Sequence, residues 1–116
     1  MKKKPTIAAF YTKNQVCFDS IRERSYSQSP LKPYLLMQKI ERSEHHAHFD
    51  ILPDFKPFQH EDFLLAHSPE YVSNFFNQTG NYRSNGIPWS ENLATSVRYT
   101  NSAMYHAIKH SLDYPD

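Results

Sequence analysis

Two short apolar runs, PTIAAFYT (5–12) and HFDILPDF (48–55), are the strand candidates in a chain whose other patterned stretches all read as helix. Each is a brief apolar segment bounded by proline or polar residues, the signature of a buried strand. The order of elements is strand, helix, strand and then three helices. Strands separated by a helical stretch point to a parallel sheet in an α/β design. Two strands alone do not make a stable sheet core. Four amphipathic helices need more sheet than this chain supplies. The fold class expected is therefore an incomplete α/β domain with a parallel sheet. It is helix-rich, has about two strands, and fills residues 1–116 as a single partial domain.

The helical stretches carry clear punctuation. SPLKPYLLMQKIERS (29–43) starts at or near Pro33, because a proline disfavours helical geometry at Lys32 and loses nothing at a first helical position. Leu36, Met37 and Ile40 are expected to share its inner face. QHEDFLLAH (59–67) predicts a short helix held by Phe63 and Leu64. In SPEYVSNFFNQTG (68–80), Ser68 is the cap, Pro69 opens the helix and Glu70 suits its positive end. Gly80 is the expected stop. Its Tyr71, Val72, Phe75 and Phe76 read as a core face. The longest helix, roughly 91–112, is capped by Ser90. Leu93, Val97, Thr100, Met104, Ala107 and Ile108 make its expected inner stripe. The polar segment 13–29 exceeds the usual length of a connection, and long ordered loops are often functional.

Composition excludes several classes. Aromatics make up 15% of the 116 residues, enough large rings to build a core rather than a disordered chain. Thirteen Lys and Arg against 12 Asp and Glu leave a formal charge of +1, which gives no electrostatic case for nucleic acid or an anionic membrane. The basic start MKKK is followed by too few apolar residues for a signal core or a membrane span. The single Cys17 rules out an internal disulfide and reads as a small buried residue rather than a nucleophile. A cytoplasmic protein is expected.

Histidine is the residue with most chemical promise. RSEHHAHFD (42–50) holds three of the seven histidines. In an extended segment His46, His48 and Asp50 point the same way, and two imidazoles with a carboxylate suit a divalent metal. A polar connector between helix and strand is the simpler reading. Glu61 or Asp62 with His60 or His67 offers acid and base types, but carboxylates opening a helix are ordinary dipole partners. The chain has two glycines and no phosphate loop, nucleophile elbow or His-Glu-X-X-His motif.

SPLKPYLLMQKIE, FKPFQHEDFLLAHSPEYVSNFF and NGIPWSENLATSVRYTNSAMYHAI resemble, in that order, the N-terminal part of the histone deacetylase superfamily. That superfamily includes acetylpolyamine amidohydrolases and acetoin-utilisation proteins. The resemblance runs from about residue 6 to 116 and covers the first third of such a domain. It implies an arginase/deacetylase-like parallel-sheet fold and zinc-dependent hydrolysis of an acetyl amide. The family's tandem histidines, in a Gly-Phe-His-His-Ala-like context, follow a strand after the long helix. Its Asp-X-His and a later Asp hold the metal. No Asp-X-His occurs in these 116 residues. The expectation is a chain without catalytic residues and without zinc of its own, which associates with a missing C-terminal portion or as a homo-oligomer. The resemblance further implies that loop 13–29 and the Asn-Gly loop border the substrate entrance, with Tyr26, Asn85 and Gly86 at the rim. Leu35 stands where many members carry an arginine near an internal channel, and Ile87-Pro88 follow Asn85-Gly86 where an aromatic and a glycine are common. His45-His46-Ala47 repeats the letters of the family dyad, but it joins the first helix to the second strand, ahead of the place where the family carries that pair.

Overall fold

The computed structural model describes residues 6–19, 28–80, 82 and 87–115. The two apolar runs form strands β1 (Ile7–Phe10) and β2 (Phe49–Leu52). They pair in parallel, Ile7 opposite Phe49 and Phe10 opposite Leu52. One further bond, from Tyr11 N to Leu52 O at 3.3 Å, extends the ladder beyond β1. A parallel pair needs a long crossover, and the chain supplies it with helix α1 (Lys32–Arg42). A single turn of 3-10 helix, Ser29–Leu31, leads into α1, and Pro33 lies in the first turn as the sequence requires. Met37 is buried and Ile40 half-buried, whereas Leu36 is exposed.

Three helices follow β2: α2 (His60–Phe63), α3 (Pro69–Asn77) and α4 (Glu91–Asp113). Gln59 and Asp62 form a reciprocal cap on α2, with Asp62 Oδ2 accepting from Gln59 N at 2.7 Å. Phe63 is buried against Phe58 and Phe76, ring centroids 5.5 and 5.3 Å apart, while Leu64 falls just outside the short helix and is exposed. Ser68 caps α3 by accepting from Tyr71 N at 3.2 Å. That helix buries Val72 and Phe75, leaves Phe76 half-buried and exposes Tyr71. It ends at Gln78, two residues before the expected glycine. Gln78 takes a left-handed conformation, φ 56°, and Thr79 N closes the turn on Asn74 O at 3.0 Å. Gly80 is left-handed too, and a Cβ there would come within 2.9 Å of the Asn74 amide.

Helix α4 organises the molecule. Ser90 Oγ accepts from Leu93 N at 3.0 Å and starts it. Its first turns bury Leu93, Ala94 and Ser96, packed against the turn Lys13–Gln15. That turn is itself closed by a capping box in which Gln15 Oε1 accepts from Thr12 N at 2.9 Å. Cys17, 2% exposed, donates its backbone N–H to Pro30 O at 3.1 Å and so ties the first loop to the start of α1. Further along, α4 crosses β1 and the segment after β2. Phe10 lies against His106 and His110 at 6.0 and 5.7 Å, and Phe55 against Tyr99 and His106 at 6.2 and 5.7 Å. Ser102, buried, donates to Lys56 O, and Phe58 N donates to Arg98 O at 3.1 Å.

The covered side of α4 is therefore not the stripe that aliphatic spacing predicts. Leu93 is buried and Val97 and Ala107 are half-buried, but Thr100, Met104 and Ile108 face water. Ser102 and Ala103 are buried instead, with Tyr99, His106 and His110 beside them. Small residues let segment 55–58 come close enough to hydrogen-bond the helix. The aromatic rings on the sheet side are matched by flat imidazoles rather than by aliphatic chains. The molecule measures 58 × 32 × 18 Å with a radius of gyration of 16.3 Å, against about 13 Å for a compact domain of this length. No described helix is long and apolar enough to cross a membrane.

Candidate functional site

The histidine-rich connector forms from the end of α1 outward. Ser43 caps that end, its hydroxyl donating to Ile40 O at 2.9 Å and accepting from His45 N at 3.1 Å. The chain then turns once as a 3-10 helix over His46–His48, with His48 N bonded to His45 O at 2.9 Å. In such a turn side chains three apart eclipse one another. The rings brought together are accordingly His45 and His48, 5.7 Å between centroids, and not His46 and His48. His46 Nδ1 lies 3.0 Å from Ser43 O, and His45 Nε2 lies 3.6 Å from Glu44 Oε1. Asp50 is on β2, beyond the turn. The extended geometry that would align His46, His48 and Asp50 is not formed. Among the described residues no three His, Cys, Asp or Glu side chains converge as a metal site. His46, His48 and Asp50 are not arranged to hold a zinc ion.

The acid and base types around α2 are occupied in the same plain way. Asp62 is half of the α2 cap, and His67 stacks on Tyr71 at 5.3 Å and 28°. His106 and His110 have the i, i+4 spacing of a helical metal pair, a signal that the sequence reading passed over. Their rings are engaged with Phe10, and no third ligand joins them among the described residues.

A groove of about 290 Å³ lies where the start of α1, the α2–α3 pair and the first half of α4 meet. Phe63, Tyr71, Phe75, Val97 and Ile87 are among the residues of its wall. Three of the polar side chains on that wall are committed to the fold. Gln15 caps the first loop, Ser96 Oγ donates to Leu93 O at 2.7 Å, and Asn101 Nδ2 donates to Val97 O at 2.8 Å. The groove can take up apolar side chains. The wall residues Phe63, Val72 and Phe75 were legible from helical spacing; Gln15 carried no sequence signal, since its role depends on a turn closed by Thr12.

The sequence candidates Tyr26, Asn85 and Gly86 lie outside the described residues. Leu35 is on the exposed side of α1. One titration is visibly perturbed near the sheet. Burial pushes the Tyr11 phenol above its ordinary 10.0, and the negative charge of Glu41 and the neighbouring Tyr34 push the same way.

The chain matches no family model, no curated protein and no solved structure.

Proposed function

We propose that this chain is the N-terminal segment of a histone deacetylase-like, zinc-dependent amidohydrolase acting on acetyl-lysine or acetylpolyamine-type amides. The observation that carries the reading is the ordered series of motifs. SPLKPYLL opens α1, EDFLLAHSPEYV runs from α2 into α3, and NGIPWS leads into the long α4. A parallel strand–helix–strand unit followed by helices is compatible with the fold the resemblance implies.

In such an enzyme zinc polarises the amide carbonyl and activates a water. No step of that chemistry falls to the described residues of this chain. The contribution of these 116 residues is scaffolding: β1 and β2 begin the sheet, and α4 meets it through His106 and His110 on Phe10 while Tyr99 and Ser102 hold the segment after β2. Tyr26, Asn85 and Gly86 are proposed as residues at the substrate entrance. Catalysis then depends on a polypeptide that supplies the histidine dyad and the Asp-X-His ligands.

Two measurements test the reading together. The purified chain is assayed for bound zinc and for turnover of an acetyl-lysine peptide, and it is co-expressed with the complementary segment of a complete family member. The chain alone is expected to show neither stoichiometric zinc nor turnover, and co-expression is expected to give a zinc-containing complex. Turnover by the chain alone, or no complex on co-expression, overturns the proposal.

A further inference from the structure

The turn that joins α1 to β2 carries two imidazoles side by side, and the deacetylase reading makes no use of them. His45 and His48 are exposed, with ring centroids 5.7 Å apart and planes tilted by 41°. The backbone sets that pairing. Ser43 Oγ donates to Ile40 O and accepts from His45 N, and the bond from His48 N to His45 O closes the 3-10 turn in which residues three apart eclipse. We propose that His45 and His48 together chelate a copper(II) ion.

Three observations support a metal of that kind on that pair. The first is distance. A metal about 2 Å from one nitrogen of each of two imidazoles sets the ring centroids roughly 4.5–6 Å apart. The separation of 5.7 Å lies in that range. The second is the disposition of the ring nitrogens. His45 Nε2 lies 3.6 Å from Glu44 Oε1. A carboxylate beside one ring nitrogen draws the proton there and leaves the lone pair of the other nitrogen for a metal. His46 is disposed differently, because its Nδ1 lies 3.0 Å from the carbonyl oxygen of Ser43 and its ring is tied to the end of α1. The third is the number of ligands. Structural and catalytic zinc sites take three or four protein ligands, and no three converge here among the described residues. Two imidazole nitrogens, with the other positions left to oxygen from water or Glu44, make a tetragonal nitrogen and oxygen set. Such a set suits copper(II), which heads the affinity order of the divalent first-row metals.

The inference stands on the connector 43–48 and not on the deacetylase reading, so either can fail without the other. Its test is calorimetric titration of the full chain with copper(II) near neutral pH, together with single variants and proton spectra of the histidine rings. The wild type is expected to bind one equivalent with a Kd on the order of 1–10 μM. Trace copper is expected to broaden the His45 and His48 ring signals selectively. His45→Ala and His48→Ala, both at exposed positions, are each expected to weaken binding at least about tenfold with unchanged helical circular dichroism. His46→Ala is expected to change it by less than about threefold. A wild type that takes up no copper at about 100 μM overturns the proposal. So does copper that either His45→Ala or His48→Ala leaves in place, or a loss in His46→Ala as large as in the other two. Selective broadening of the His106 and His110 rings instead would also overturn it, by placing the ion on α4.

Discussion

Gln78 is the residue at which the backbone asks for something its side chain does not offer. It closes α3 with φ 56°, where a Cβ is crowded and glycine is at ease. Gln78→Gly is expected to stabilise the protein by about 0.5–1 kcal/mol, read as a higher urea midpoint with an unchanged slope. Ser90 is the converse case, a side chain the backbone needs. Ser90→Ala removes the acceptor for Leu93 N and is expected to cost about 1 kcal/mol, whereas Ser90→Gly should cost only a few tenths. Tyr11 adds a pH dependence. Its phenol titrates higher in the folded chain than in the unfolded one, chiefly because it is partly buried. The folded state therefore favours the protonated form. The associated stability is fully present below the unfolded value near pH 10 and is lost as pH rises through the higher folded value. Urea midpoints measured from pH 8 to 11 should fall on the alkaline side, and Tyr11→Phe should flatten that fall.

The caps and breakers of the helices were legible in the sequence; the sides those helices turn inward were legible only in part. Ser68, Pro69, Ser90 and Pro33 act where their chemistry says they should, because a cap is decided by a few neighbouring atoms. Burial is decided by what lies across the interface. Leu64 and Phe63 are adjacent apolar residues, yet α2 stops after one turn and only Phe63 reaches Phe58 and Phe76. Phe63→Ala is accordingly expected to cost about 3–5 kcal/mol, and Leu65→Ser, at a fully exposed neighbour, less than about 0.5 kcal/mol, both from urea denaturation. On α4 the strongest aliphatic periodicity marks the side that is left open. Ser102 and Ala103 hold no hydrophobic signal, but their small size permits the approach of Lys56 and Phe58. The connector 43–48 shows the same limit at the candidate site. Whether His46 pairs with His48 or His45 with His48 depends on one 3-10 turn, which the letters do not specify.

At the scale of the whole molecule, the two strands and four helices among the described residues leave more apolar surface than they cover. The shortage visible as a count of elements in the sequence reappears as a radius of gyration of 16.3 Å and an open face on α4. A single chain of this kind has little margin of stability, since small domains bury a smaller share of their unfolded surface. An open face adds little to the stability of the chain that carries it. Ile108→Lys, at a residue 55% exposed, is therefore expected to change stability by less than about 0.5 kcal/mol, read from the urea midpoint at an unchanged slope. Ala94→Leu, at a residue 1% exposed on the same helix, should cost about 1–3 kcal/mol, because it overpacks the contact with the first loop. The contrast between the two variants measures how one-sided the burial of α4 is.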